Sequence, residues 1–288
     1  MNRRVVVTGL GAITPIGNNV PEFWSAVKQQ KVGIGEITHF DATDYKCHLA
    51  AEVKDFDAKE YMDFRSAKRM EAFCQFAVAA AGEALEDSGL SMEAEDAYRV
   101  GTSISSGVGS LQAIEREHSK LLEKGPGRVN PLFVPMMISN MAAGLLAIAY
   151  HAKGPSQPVV TACATSSHAI GEAYRCIRSG YADAVLTGGA EAGINPLIMA
   201  GFANCNALSL STEPLESSLP FDRRRDGFVM GEGAGVLVLE NWETAVTRKA
   251  TIYAEMIGYG NTCDAYHVTF PQPDAVSSSR AVEQAMEE

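Results

Sequence analysis

The chain has 288 residues, 46% hydrophobic and 20% charged, with no low-complexity tract, a balance that suits a globular protein with a large core or two domains. Its net charge of −11 argues against a nucleic-acid binder held by phosphate contacts, though not against a local basic patch. The six cysteines are scattered without a C-x-x-C pair, so neither a zinc site nor a disulfide framework is expected, and a reducing cytoplasm is the default location. No apolar stretch approaches a membrane span. Gly9, Gly11 and Pro15 interrupt the apolar N-terminus, and no cleavage site of a signal peptide follows.

In chain order, residues 4–8 read as a short strand running into a glycine-containing turn, Gly9 to Gly17. The turn superficially echoes a dinucleotide loop, but the third glycine is misplaced and Pro15 blocks a direct helix start. A helix opens on Pro21 and runs to residue 29. A longer one covers 68–88, with Met70, Phe73, Ala77, Ala80, Ala81 and Ala84 on its packed side and Gly89 as its stop. Residues 98–103 form a strand, and Ser105-Ser106-Gly107-Val108-Gly109 a flexible turn at its end. The next helix carries Leu111, Ile114, His118, Leu121 and Leu122 on one side, which makes His118 a packing residue. A strongly apolar helix spans 137–152, and its methionines read as core rather than as a ligand pocket.

Residues 159–161 read as a strand end, and from Ala164 the pattern becomes helical, with Ile170, Ala173, Tyr174 and Ile177 spaced by three and four before Gly180. Cys163 thus falls at a strand-to-helix junction, where helix N–H groups favour a thiolate. The small polar run Thr165-Ser166-Ser167 suits a solvent-reaching turn better than a core. A buried strand at 184–188, a long polar stretch at 205–230, and strands at 234–240 and 252–257 around a short helix at 244–249 complete the pattern. Residues 274–288 begin like a capped helix with Val276, Val282 and Met286 on one side. Strands alternating with helices give an α/β fold with a mostly parallel, covered sheet.

Thr161-Ala162-Cys163-Ala164-Thr165 resembles the nucleophile motif of the β-ketoacyl-acyl-carrier-protein synthases, nearest to the type II elongating enzymes of bacterial fatty acid synthesis. So do Arg4-Val5-Val6-Val7-Thr8-Gly9-Leu10-Gly11, Gly188-Gly189-Ala190-Glu191, Pro220-Phe221-Asp222 with Arg225-Asp226-Gly227-Phe228, Gly231-Glu232-Gly233-Ala234-Gly235 and Asp264-Ala265-Tyr266-His267, in family order. The resemblance implies a thiolase-type α/β fold in five αβαβα layers, assembled as a homodimer. Residues 1–250 would be the N-terminal half and 251–288 the start of an incomplete second half. It implies a decarboxylative Claisen condensation: an acyl group passes from acyl carrier protein to Cys163, and malonyl carrier protein then supplies the attacking carbanion. No cofactor or metal is implied beyond the phosphopantetheine that carries the substrates.

By the same resemblance the Cys163 N–H is an oxyanion donor, Val108 and Phe202 line the acyl pocket, and Phe133 closes its far end from the partner subunit. Thr269 falls near the phosphopantetheine arm, and Arg65, Lys68 and Arg69 match the docking patch for the acidic carrier protein. Read without the family, these three are a solvated basic cluster at a helix start, where each opposes the helix dipole by about 0.3–1 kcal/mol.

The family also needs two histidines and a second oxyanion donor from a glycine-rich loop, all in a C-terminal portion outside this sequence. His39, His48, His118, His151, His168 and His267 do not stand in for them, since His168 turns away from Cys163 and His267 is not a catalytic position. The expectation is a synthase represented by its N-terminal two-thirds, as from an incomplete gene, and inactive in condensation alone. A non-catalytic acyl- or carrier-binding protein and a polyketide ketosynthase are the alternatives.

Overall fold

A computed structural model describes residues 3–288. In chain order the elements are β1 (Val5–Ile13), α1 (Val20–Lys28), β2 (Gly35–Glu36), β3 (Leu49–Ala51), α2 (Phe64–Ala67) and α3 (Ala72–Ser88). Then come β4 (Val100–Ser105), α4 (Leu111–Lys124), α5 (Phe133–Met137), α6 (Met141–Tyr150) and α7 (Thr165–Arg178). The chain continues through β5 (Ala184–Ala192), α8 (Pro196–Asn204), β6 (Met230–Asn241), α9 (Trp242–Thr247), β7 (Ala254–Met256) and α10 (Val276–Glu287).

Local chemistry sets many of these bounds. Asn19 caps α1 by accepting from the Glu22 N–H at 2.8 Å, with Pro21 in the first turn. Gly89 ends α3 in the left-handed region at φ 62°. The expected helix at 68–88 starts four residues later, and the one expected at 137–152 is the shorter α6, which begins only at Met141. β1 is longer than expected because Gly9 and Gly11 continue the strand. A Cβ on Gly9 would lie 2.1 Å from the Ala84 carbonyl oxygen, and one on Gly11 1.8 Å from that of Ala80. The two glycines admit α3 to the strand backbone, and no nucleotide loop forms there.

The main sheet runs β4-β5-β6-β1-β7. Only β4 and β5 are parallel within it, from Val100↔Ala184 to Ser105↔Gly189; β5–β6, β6–β1 and β1–β7 are antiparallel. The sheet is therefore mixed, not mostly parallel as expected. The 193–229 segment leaves the end of β5 and re-enters at that same end, where Ala192 pairs with Glu232, so β6 must run backwards. The expected strand at 159–161 is absent. Residues 155–157 run beside β4, with Thr102 N–H donating to the Pro155 carbonyl at 2.9 Å, and Pro158 then offers no N–H to extend the ladder.

Alternate residues of β5 and β6 enter two cores on opposite faces. Leu186, Val236 and Val238 meet α3 and α6, while Val185 and Leu239 meet Tyr174 and Ile177 of α7. Helix α3 is covered on nearly every side, which explains its run of buried alanines. Residues 258–260 lie against α10 as β1 lies against α3: a Cβ on Gly258 or Gly260 would come 1.9 Å from the Ala285 or Ala281 carbonyl oxygen. Unlike α3, α10 has no buried residue.

Candidate active site

The C-terminal ends of β4 and β5 and the head of α7 converge on Cys163. The chain reaches Thr161 at φ −139° and ψ 44° and passes through Ala162 at φ +51°. Residues Ala162–Ala164 then form a 3₁₀ turn that leads straight into α7. The Thr161 N–H donates to Thr165 Oγ1 at 2.9 Å, and the Ala164 N–H to the Thr161 carbonyl at 3.1 Å. Cys163 lies at the second position of this turn, so its N–H has no acceptor within the helix, and the residue is exposed. The junction inferred from sequence is present, entered from an irregular segment rather than from a strand.

Behind it stands the 105–109 turn, which is pinned rather than flexible. Glu191 Oε1 accepts from Ser106 Oγ at 2.8 Å, and Oε2 from the Gly107 N–H at 2.9 Å. Ser106 Oγ in turn accepts from the N–H groups of Val108 (3.1 Å) and Gly109 (2.6 Å). Gly107 abuts the cysteine turn, since a Cβ there would sit 3.2 Å from the Ala162 carbonyl oxygen. Gly189 likewise lets α7 descend on β5, with only 2.7 Å between its would-be Cβ and Ser166 Cβ. Burial pushes the Glu191 carboxyl above the usual carboxylate range, against the hydrogen bonds that favour its charged form. Sequence reasoning singled out neither Glu191 as a support nor Ala162 as a left-handed residue. The one available signal was a carboxylate closing an apolar strand.

The other expected residues are distributed over the surface. Val108 is 48% and Phe202 36% exposed, the latter edge-to-face with Phe228 at 5.6 Å. Phe133 opens α5 and is half-buried. Thr269 bonds locally, its N–H donating to His267 Nδ1 at 3.1 Å, with no hydrogen bond to the cysteine turn among the described residues. A cleft of about 630 Å³ lined by His39, Glu71, Phe73, Ser110 and Glu232 contains neither Cys163 nor any of these four.

Arg65, Lys68 and Arg69 are all exposed, and among the described residues none forms an ion pair. Gln75 Nε2 holds their segment by donating to the Ala67 carbonyl at 2.9 Å and that of Met70 at 3.2 Å. The expected conflict with a helix dipole is corrected: Arg65 lies within the four-residue α2, and Lys68 caps its C-terminal end, where cations are favoured. The face of α4 is corrected too. Ala113 and Glu117 are buried while His118 is exposed, because the helix turns its alanine side to the core.

No histidine takes part in a hydrogen bond or ion pair with Cys163 among the described residues. His168 meets the Tyr259 ring edge-on at 6.3 Å, and His39 faces Glu232 at 3.6 Å. Burial raises the thiols of Cys47, Cys74 and Cys176, leaving Cys163, Cys205 and Cys263 as the exposed ones. No group of three or more metal-ligating side chains occurs among the described residues.

With this geometry in view, the family model described as "Beta-ketoacyl synthase, N-terminal domain" matches residues 2–245. The chain belongs to the β-ketoacyl synthase family. It is 51% identical over 287 residues to a Synechocystis protein named 3-oxoacyl-[acyl-carrier-protein] synthase 2, and 47% identical to one of the same name from Staphylococcus aureus. These alignments cover 99% and 100% of the chain and 69% of each relative. The solved β-ketoacyl synthase of Burkholderia phymatum superposes with a TM-score of 0.88 at 33% identity, over 99% of this chain and 71% of that one. A type II polyketide ketosynthase in complex with its acyl-carrier protein superposes with a TM-score of 0.89 at 30% identity, over 100% and 70%. The fold is accordingly the thiolase-like α/β fold of the ketosynthases.

Proposed function

We propose that this chain supplies the acyl-accepting part of a fatty acid elongating β-ketoacyl synthase, with Cys163 as the acceptor. The observation that carries this reading is an exposed thiol at the head of α7, with an unpaired N–H of its own turn beside it and a carboxylate-pinned loop behind it. In the reaction the Cys163 sulfur attacks the thioester carbonyl of acyl carrier protein. The tetrahedral oxyanion takes a hydrogen bond from the Cys163 N–H, and the carrier thiol leaves with a proton. One thioester replaces another, so the step needs positioning more than driving force. Val108, Phe202, Thr269 and Phe133 of the partner subunit would hold the acyl chain and its pantetheine arm once a cytoplasmic homodimer assembles. No helix among the described residues is long and apolar enough to cross a membrane.

Condensation asks for more than this site holds. Decarboxylating a malonyl group needs cationic or hydrogen-bonding partners for the developing enolate, and among the described residues no histidine forms a hydrogen bond or ion pair with Cys163, His168 and His39 being engaged elsewhere. Residues 1–250 form the nucleophile-bearing half, and residues 251–288, whose Gly258 and Gly260 repeat the fit of Gly9 and Gly11, begin the second. Purified chain given acyl and malonyl carrier proteins should take up the acyl group and release no β-ketoacyl product. Product formation would contradict this division, and absence of acyl uptake would contradict the function.

Carrier protein docks on Arg65, Lys68 and Arg69, whose exposed charges, in no ion pair among the described residues, suit an acidic partner. Replacing each with Glu should weaken carrier binding about two- to fivefold singly, and more than about tenfold for the triple variant at low salt. Calorimetric titration in rising salt checks this: the wild-type affinity falls toward that of the variant as the charges are screened.

A further inference from the structure

We propose that Glu191 is a positioning residue for the acyl-accepting site: its carboxylate fixes the 106–109 turn against Ala162, and so sets where Cys163 stands and how the space beside it is shaped. The inference rests on the reading of Cys163 as acyl acceptor and adds a residue which that reading does not use.

The geometry is that of one acceptor holding a hub. Glu191 is the penultimate residue of β5 and spends both oxygens on a single turn, one on the Ser106 hydroxyl and one on the Gly107 N–H. Donating its proton to Glu191 leaves the Ser106 oxygen free to accept, and it takes the N–H groups of Val108 and Gly109. Gly109, at φ +73°, then fits where any Cβ would be 2.1 Å from the Met137 carbonyl oxygen. The Ser110 N–H donates to that same carbonyl at 3.0 Å. The chain of contacts therefore runs from Glu191 through Ser106 and Gly109 to the end of α5, the helix that opens with Phe133. On its other side Gly107 touches the Ala162 carbonyl, one residue from the nucleophile. A single carboxylate links the cysteine turn to two segments that bear acyl-pocket positions.

The direction of each bond makes the assignment testable. A glutamine at 191 keeps the size but offers one acceptor. If its oxygen takes the Gly107 N–H, its amide group donates to a Ser106 oxygen already accepting two bonds, and the hydroxyl loses its partner. Losing one charge-assisted bond of this kind corresponds to about a tenfold effect or more.

The experiment follows acylation of the 288-residue chain by a series of acyl thioesters of a small thiol, from six to sixteen carbons, by intact mass and peptide mapping well below the melting temperature. Glu191→Gln should slow acylation of Cys163 about tenfold or more. Ser106→Ala keeps the Glu191–Gly107 bond but removes the hub. It should change the ratio of long- to short-chain uptake about fivefold and slow the reaction less than Glu191→Gln does. A residue serving stability alone would lower the melting temperature and leave the chain-length order untouched. Wild-type rates and chain-length order in both variants would overturn the inference. Should Glu191→Gln fail to fold, Ser106→Ala decides by its chain-length order, a shift supporting and no shift overturning. Wild-type chain labelled on other cysteines instead of Cys163 would overturn the site reading and this inference together, whereas selective Cys163 labelling indifferent to both substitutions would overturn the inference alone.

Discussion

Cys163 owes its exposure to the residue before it. Ala162 sits in the left-handed region, a conformation that costs an L-residue about 1–2 kcal/mol. Valine there, branched at Cβ, should destabilise the fold by more than about 1 kcal/mol and slow Cys163 acylation, with chemical denaturation and intact mass as the measurements. A second residue-scale consequence concerns Glu117 of α4. Its bond to Lys120, with the Asn130 N–H and Arg116, holds its carboxyl down at about 2. A depressed folded pKa gives stability that is complete above about 4.5 and disappears as pH falls from there toward 2. Glu117→Gln should therefore melt lower than wild type at pH 6, with most but not all of that difference gone at pH 2.5, as thermal scans at the two pH values would show. At this scale the turn and helix start around Cys163 were legible because the small polar run and the helical spacing after Ala164 both lie in local sequence. Glu191 and Ala162 were not, since a carboxylate's partners 84 and 85 residues away and a single φ angle leave no local pattern.

At the scale of elements, close approach of helix and strand is encoded by glycine opposite alanine. Gly9 and Gly11 meet Ala84 and Ala80, and Gly258 and Gly260 meet Ala285 and Ala281, each pair of alanines one turn apart. Gly11→Ala should force α3 off β1 and destabilise by about 1–3 kcal/mol. Gly35→Ala, whose Cβ would meet nothing within 4 Å, should stay within about 0.5 kcal/mol in the same urea titration. Equal losses at the two positions would contradict the packing argument. Some helix ends were readable because their signals are local, as with Pro21 and Gly89. The direction of β6 was not, because it depends on a 37-residue excursion that returns to the end of the sheet it left. Pro155 and Pro158 defeated the strand expected near 159 for a reason visible in sequence: neither has an N–H to donate.

For the molecule as a whole, the family relationship and the α/β class were both legible, because the motifs that carry them run in order along the chain. The distribution of burial was not. Residues 3–250 enclose three hydrophobic cores, whereas beyond them Ile257, Val268, Phe270, Val276, Val282 and Met286 are all exposed. The chain spans 69% of the length of its curated relatives, and in this span the exposed Cys163 thiol stands beside the turn that Glu191 pins, with no histidine hydrogen-bonded to it among the described residues. Exposure supplies an internal control, since Cys205 and Cys263 are as open to solvent in class as Cys163 but lack its turn and pinned loop. Incubation with acyl carrier protein bearing a labelled acyl chain, followed by peptide mapping of all six cysteines, tests the central claim most directly. The account predicts acyl label on the peptide containing Cys163 and none above background on those of Cys205 and Cys263, with the label lost in Cys163→Ser. Label spread evenly over the three exposed cysteines, or retained in Cys163→Ser, would contradict it.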